Sequence, residues 1–228
     1  MQRQVITIDG PSGAGKSTVA KILSQKLGWS YLDSGALYRL VALHVIENNI
    51  SSEQETMILE VAEKLKFRFE TDNGKSIVIL NNKDVTQELR NEDVGLTASK
   101  ISQIGSLRKS LIKVQQQFDH ENNLVTDGRD MGTIIFPNAE LKIFLTASSE
   151  IRALRRYDEI KIKKPDISID YKTILERILI RDENDLNRDI APLNAAEDSI
   201  LINTDNLDIN KIVEKIILLW QNRRIRCR

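Results

Sequence analysis

Cysteine is almost absent: Cys227 is the single one in 228 residues, one position from the end. A disulfide framework or a cysteine-based metal site within one chain is thereby excluded, which fits a reducing compartment. Histidine is nearly as scarce, with only His44 and His120, so a histidine-rich metal site is not expected either. An excess of one charge is also missing, since 33 Lys and Arg balance 33 Asp and Glu. A sequence-independent nucleic-acid binder needs a basic surplus, because phosphate neutralisation supplies most of its affinity. No nucleic-acid partner is expected, and the terminal cluster Arg223, Arg224, Arg226 and Arg228 reads as a solvated helix end. No apolar run approaches the roughly 20 residues of a membrane span, and the N-terminus opens on a strand pattern rather than on a signal peptide. A soluble, cytoplasmic protein with no membrane partner is expected. With 41% hydrophobic residues it can fill a core as one domain with insertions, or two at most.

Val5, Ile6 and Ile8 form a β-branched run that ends in a glycine-rich turn, and a helical pattern follows through Val19, Leu23 and Leu27 to a stop at Gly28. Further strands are expected at Trp29–Leu32, Leu124–Thr126, Leu141–Thr146 and Ile200–Asn203. Helices are expected between them, the last carrying Ile212, Val213, Ile216 and Trp220. Ser52 and Glu55 have capping-box spacing ahead of a helix over Met57–Leu65. The texture changes at Phe67, Phe69, the Asn73-Gly74 turn signal and Ile77–Leu80. These predict a hairpin with a third short strand near Val85. Strands alternating with helices predict an α/β fold around a parallel sheet, whose ligands bind at the carboxyl ends of the strands.

The first such end carries Gly10-Pro11-Ser12-Gly13-Ala14-Gly15-Lys16-Ser17-Thr18, which fits G-x-x-x-x-G-K-[ST] at every fixed position. Glycines let the backbone approach a phosphate, whose oxygens then meet loop N–H groups and a helix N-terminus. Lys16 is placed for the β- and γ-phosphates and the Ser17 hydroxyl for Mg²⁺. Such a loop serves kinases, switch GTPases and motor ATPases alike. Asn82-Lys83-Asp84 lacks the spacing of a guanine-reading N-K-x-D motif and reads as a hairpin loop.

Two further segments concentrate charge. In Asp33-Ser34-Gly35-Ala36-Leu37-Tyr38-Arg39, Ser34 is expected to cap a helix that presents Arg39 to a phosphate. Asp127-Gly128-Arg129-Asp130-Met131-Gly132-Thr133 follows the Leu124 strand and joins two carboxylates to an arginine at a sheet end. A charged helical region over 149–189, broken around Lys163-Lys164-Pro165, sets Arg152, Arg155 and Arg156 on one face. Arg181, Asp185 and Arg188 share another. An arginine-rich helical hairpin of this kind can close over a transferring phosphoryl group.

Taken together, GPSGAGKST, DSGALYR, DGRDMGT with IIFPNAELKIFL, and RDENDLNRDIAPL resemble the bacterial cytidylate kinases over nearly the whole chain. The resemblance implies a P-loop kinase three-layer fold with a central parallel sheet, an inserted substrate-binding subdomain containing a small antiparallel sheet, and a helical lid. The implied core is 1–33, 105–148 and 190–228, with the insert at about 34–104 and the lid at about 149–189. It implies transfer of the γ-phosphoryl group of ATP to CMP or dCMP by a cytoplasmic monomer in pyrimidine nucleotide metabolism. Gly10, Pro11, Ser12, Gly13, Ala14, Gly15, Lys16, Ser17 and Thr18 would bind ATP. Ser34, Arg39, Ser99, Arg108, Arg129, Asp130, Arg181, Asp185 and Arg188 would bind CMP, with Asp130 and Arg108 toward the cytosine. Lys16, Arg39, Arg129 and Arg188 would serve catalysis, and Ser17, with Asp127 through water, would serve Mg²⁺. The acceptor is already an anionic phosphate oxygen, so no essential histidine is implied. Two rivals stay open on the sequence: a P-loop kinase acting on another small acceptor, and a nucleotide-dependent switch.

Overall fold

A computed structural model describes residues 3–72, 75–163, 168–188 and 190–226. The Asn73-Gly74 turn signal, Lys164-Pro165, Asp189, Cys227 and Arg228 lie outside the described residues. The chain divides into two compact units, Met1–Leu32 with Asp119–Arg228, and Asp33–Phe118. The second unit runs past the expected end of the insert at 104 to include the helix over Gly105–Gln117.

In the first unit, β1 (Val5–Asp9) is buried along its whole length. It pairs in parallel with β6 (Leu124–Gly128) on one side and β7 (Leu141–Thr146) on the other. β8 (Ile200–Asn203) pairs in parallel with β7, and β2 (Ser30–Asp33) lies beyond β6, giving the order β2-β6-β1-β7-β8. A central parallel strand covered on both faces requires a nearly continuous apolar run, which Val5, Ile6 and Ile8 supply. Two helices pack on this core, α1 (Lys16–Leu27) through Val19 and Leu23, and α8 (Ile209–Arg226) through Ile212, Val213 and Ile216. Trp220 of α8 meets Trp29 edge to face, with ring centroids 5.1 Å apart. Arg223 is half-buried and donates to the Glu140 carbonyl, so it does not belong to a solvated helix end. Two further helices, α6 (Ser149–Lys163) and α7 (Tyr171–Leu186), form the predicted hairpin around a small core of Ala153, Ile174 and Ile178.

The second unit holds α2 (Ser34–Glu47), α3 (Glu55–Lys64), α4 (Glu92–Ile101) and α5 (Gly105–Gln117). Its antiparallel sheet has the order β3 (Phe67–Asp72), β4 (Lys75–Leu80), β5 (Lys83–Asp84). β4 and β5 are joined through Asn81 and Asn82, both at positive φ (48° and 67°), which matches a two-residue hairpin turn. Asn82 is thus a turn residue. The expected capping box is not formed. α3 begins at Glu55 with Gln54 as N-cap, and the Gln54 side chain instead accepts from the Ser51 N–H at 2.8 Å. The competing local bond moves the helix start two residues ahead of the expected Met57.

Candidate active site

The glycine-rich loop leaves β1 at Gly10, whose φ is 143° and where any Cβ would lie 2.1 Å from the Leu145 carbonyl oxygen. Only glycine fits there. The loop ends at Gly15, which caps α1 in a left-handed conformation with no side-chain acceptor. The first N–H groups of α1 therefore remain available to an anion. Two loop carbonyls are held by side chains from outside the loop, Ser12 by Arg152 Nη1 (3.1 Å) and Ala14 by Thr204 Oγ1 (3.4 Å). In a trans peptide the N–H points opposite to the carbonyl, so these bonds fix the directions of the Gly13 and Gly15 N–H groups. The sequence sets Arg152 on the arginine face of a helical hairpin that can close over a phosphoryl group. Its guanidinium is instead committed to Ala147 O (2.9 Å), Ser12 O and a bidentate pair with Asp182 of α7 at 2.9 and 2.5 Å. Arg155 likewise donates to Thr204, and Arg156 pairs with Glu159 at 2.9 Å.

Lys16 is buried and donates to the Pro11 carbonyl at 2.8 Å. Burial pushes its ammonium down to about 7; the Arg129 and Arg181 charges add to the fall, and Asp127 and Asp185 oppose it. A phosphate anion brought to the loop would reverse this.

Asp127, near the end of β6, accepts from Ser17 Oγ and from the Tyr31 hydroxyl, each at 2.7 Å. Tyr31 carries no motif, and its part here was not legible from the sequence. Among the described residues no group of three or more His, Cys, Asp or Glu could hold a metal ion. Mg²⁺ at a phosphate site asks for less: it keeps several waters and uses one or two protein oxygens beside the substrate phosphates. The Ser17 hydroxyl and the Asp127 carboxylate fit that donor set.

The turn after β6 brings three predicted residues together. Asp185 is fully buried and accepts from Arg129 Nε through one oxygen and from Arg188 Nη2 through the other. Burial acts against its ionisation, but Arg129 and Arg188, with help from Arg181, hold it below the usual carboxylate range. α7 ends at Leu186, so Arg188 reaches Asp185 from the turn beyond the helix rather than along a helical face. Asp130 is buried and Arg181 half-buried in the same unit.

In the second unit Asp33, not Ser34, caps α2, accepting from the Ala36 N–H at 3.1 Å. The aspartate side chain reaches forward to the first turn, and Ser34 becomes the first helical residue, buried at 5% exposure. Arg39 donates to the Leu89 carbonyl at 2.7 Å and lies against Gly95, where a Cβ would be 3.7 Å from its guanidinium. Arg108 is buried, donates to the Ser102 carbonyl at 3.1 Å and has its guanidinium carbon 5.8 Å from the centre of the Tyr38 ring. Ser99, half-buried on α4, accepts from the Ser102 hydroxyl through its carbonyl at 2.8 Å. Ser102 therefore links Ser99 to Arg108.

A family model described as cytidylate kinase matches residues 6–222. A cytidylate kinase of Caldicellulosiruptor bescii is 43% identical over 220 residues, covering 96% of either chain. One of Pseudomonas syringae pv. tomato is 46% identical over 216 residues, covering 93% of either chain. A crystal structure of an uncharacterised protein from Eubacterium ventriosum gives a TM-score of 0.51 at 13% identity over 97% of this chain and 99% of that one, a likeness of fold alone.

Proposed function

This chain belongs to the cytidylate kinase family, and from that premise we propose that it transfers the γ-phosphoryl group of ATP to CMP or dCMP, giving ADP and CDP or dCDP. The observation that carries the reading is the phosphate loop at the carboxyl end of β1, with the charged turn after β6 at the end of the neighbouring strand. ATP is assigned to Gly10–Thr18. CMP is assigned to Ser34, Arg39, Ser99, Arg108, Arg129, Asp130, Arg181, Asp185 and Arg188. Lys16, Arg39, Arg129 and Arg188 are assigned to catalysis; the family's action on CMP supports a place in pyrimidine nucleotide metabolism, and a cytoplasmic monomer is part of the same proposal.

Phosphoryl transfer needs positioning and charge stabilisation rather than covalent chemistry from the protein. Lys16 and the arginines screen two anions from each other, and the loop amides hold the donor phosphates. Ser17 and Asp127 are assigned to Mg²⁺, which when bound neutralises charge on the phosphate oxygens. The acceptor oxygen is already anionic, so no residue is required to remove a proton.

A coupled ADP-release assay with CMP, dCMP, UMP, AMP and GMP tests the reading, and ADP formation indifferent to CMP and dCMP would refute it. The assay also tests base reading. An ionised Asp130 accepts from the cytosine amine but faces the uracil carbonyl with a second acceptor. Such a buried mismatch costs about 1–3 kcal/mol. CMP is therefore expected to exceed UMP in kcat/KM by roughly tenfold to a hundredfold, and Asp130→Asn narrows the gap because an amide can also donate. An unchanged ratio in the variant would remove Asp130 from base reading.

The depressed Lys16 has a consequence for ATP. Below pH 7 its ammonium is present before binding; above pH 7 the loop must take up a proton as the phosphates arrive. The ATP dissociation constant is thus expected to be flat below pH 7 and to rise by up to about tenfold per pH unit above it, until the free-lysine value is approached. Calorimetry at pH 8 in two buffers of different ionisation enthalpy reads the proton uptake directly; equal heats would count against it.

A further inference from the structure

Asp9 lies outside every motif yet occupies the last position of β1, one residue before the phosphate loop. Alternation along the strand sets Val5, Thr7 and Asp9 on one face. The Asp9 carboxylate is buried at 5% exposure. One oxygen accepts from the Met131 N–H at 2.9 Å and the other from the Gly132 N–H at 2.8 Å. These amides open the single π-helical turn over Met131–Ile135, immediately after Arg129 and Asp130. The contact is equally tight from the turn's side: a Cβ on Gly132 would lie 2.8 Å from Thr7 Oγ1 and 3.3 Å from Asp9 Oδ2.

A carboxylate is an expensive anchor at this place. Burial pushes its pKa up to about 6, against the pull of the Gly132 and Met131 amides; Asp130 raises it further and Lys16 lowers it. Two buried N–H groups pointing at two separate oxygens explain why it is nonetheless a carboxylate. An asparagine would offer one acceptor and set its NH₂ against the second amide, and an apolar residue would leave both amides unsatisfied.

We propose that Asp9 is a positioning residue for phosphoryl transfer, holding the Met131 and Gly132 amides so that Arg129 and Asp130 are fixed relative to the phosphate loop that begins at Gly10. This deepens the kinase reading and rests on it. Asp9 touches neither substrate in this scheme; it acts through the turn. Displacing a catalytic side chain by about 1 Å commonly costs on the order of 10²-fold.

The test uses the full chain, with kcat and KM for CMP from ADP release and the ATP dissociation constant from calorimetry. Asp9→Asn is expected to lower kcat/KM for CMP by about 10–100-fold while the ATP constant moves by less than about threefold, since the loop amides are untouched. Gly132→Ala breaks the same contact from the other side. It should give the same split, combine less than additively with Asp9→Asn, and be partly rescued by Thr7→Ala, which removes the nearest clashing oxygen. A merely structural Asp9 would lower the melting temperature without the split or the rescue. Normal CMP kinetics in a folded Asp9→Asn, or a parallel loss of ATP affinity, overturns the inference. If Asp9→Asn does not fold, Gly132→Ala decides, and unimpaired CMP kinetics there overturns it equally. A wild-type protein without CMP-dependent ADP release would refute the kinase reading and this inference with it, an outcome distinct from an active wild type matched by its variants.

Discussion

Replacing Lys16 with Ala is expected to lower phosphoryl transfer by about 10²–10³-fold, the usual loss when one preorganised transition-state contact is removed. The fold should survive. The ammonium is buried, but its hydrogen-bond partner is the carbonyl of Pro11 in the same loop, not a carboxylate that its removal would strand. Removing a cation whose pKa burial has already driven down to about 7 also relieves an unfavourable charge near Arg129 and Arg181. The stability of Lys16→Ala should therefore equal or exceed that of wild type at neutral pH while turnover collapses. Single-turnover kinetics with saturating ATP and CMP, beside thermal denaturation, separates the two effects. Turnover within a few-fold of wild type in a folded variant would remove Lys16 from the chemistry.

Asp185→Ala is expected to act in the opposite way, destabilising first. Its fully buried carboxylate is shared between Arg129 and Arg188, whose side chains are only 16% and 8% exposed. Deleting the anion leaves two cations facing each other in a poorly solvated place, a loss of about 3–5 kcal/mol. Asp185→Asn keeps the shape and removes the charge, so it should recover part of the packing and little of the electrostatics. The sign with pH follows from the depressed pKa. The pair's contribution is present above the unfolded value of 3.8 and is lost as acidification carries the carboxylate through its lower folded value. Urea unfolding of both variants at pH 7 provides the check. A cost below about 1 kcal/mol for Asp185→Ala would mean that the arginines are adequately hydrated without it.

How far the sequence reached depended on whether the determinant was local. β7 and β8 coincide with the expected Leu141–Thr146 and Ile200–Asn203, because short segments this rich in Leu, Ile and Phe have few other uses. The phosphate loop was legible for a similar reason: its glycines and Lys16-Ser17 are adjacent in the chain, and the strand and helix on either side carry their own patterns. Arg129, Asp185 and Arg188 were recognised as charged positions, but their convergence on one carboxylate was not, since it joins residues 56 apart. Asp9 was missed altogether. Its partners are backbone amides 122 and 123 positions away, and an amide has no sequence signature. The errors at helix starts have a common cause as well. Ser34 and Ser52 satisfy the capping rule in composition, yet the Asp33 and Gln54 side chains compete for the same neighbourhoods and win.

The order β2-β6-β1-β7-β8 has a consequence during synthesis. The central strand leaves the ribosome well before either of its partners, which come more than a hundred residues later, Val5 facing Leu124 and Ile6 facing Leu141. At roughly 5–20 residues per second, β1 waits on the order of 6–24 s or longer for a neighbour. Throughout that interval Val5, Ile6 and Ile8 form an exposed strand edge of the kind that recruits other chains. The unit spanning Asp33–Phe118 is contiguous and can complete its own contacts meanwhile. Nascent chains stalled just before Leu124 should therefore be the ones that most need a holdase, and release of that need should follow the emergence of β6 and β7.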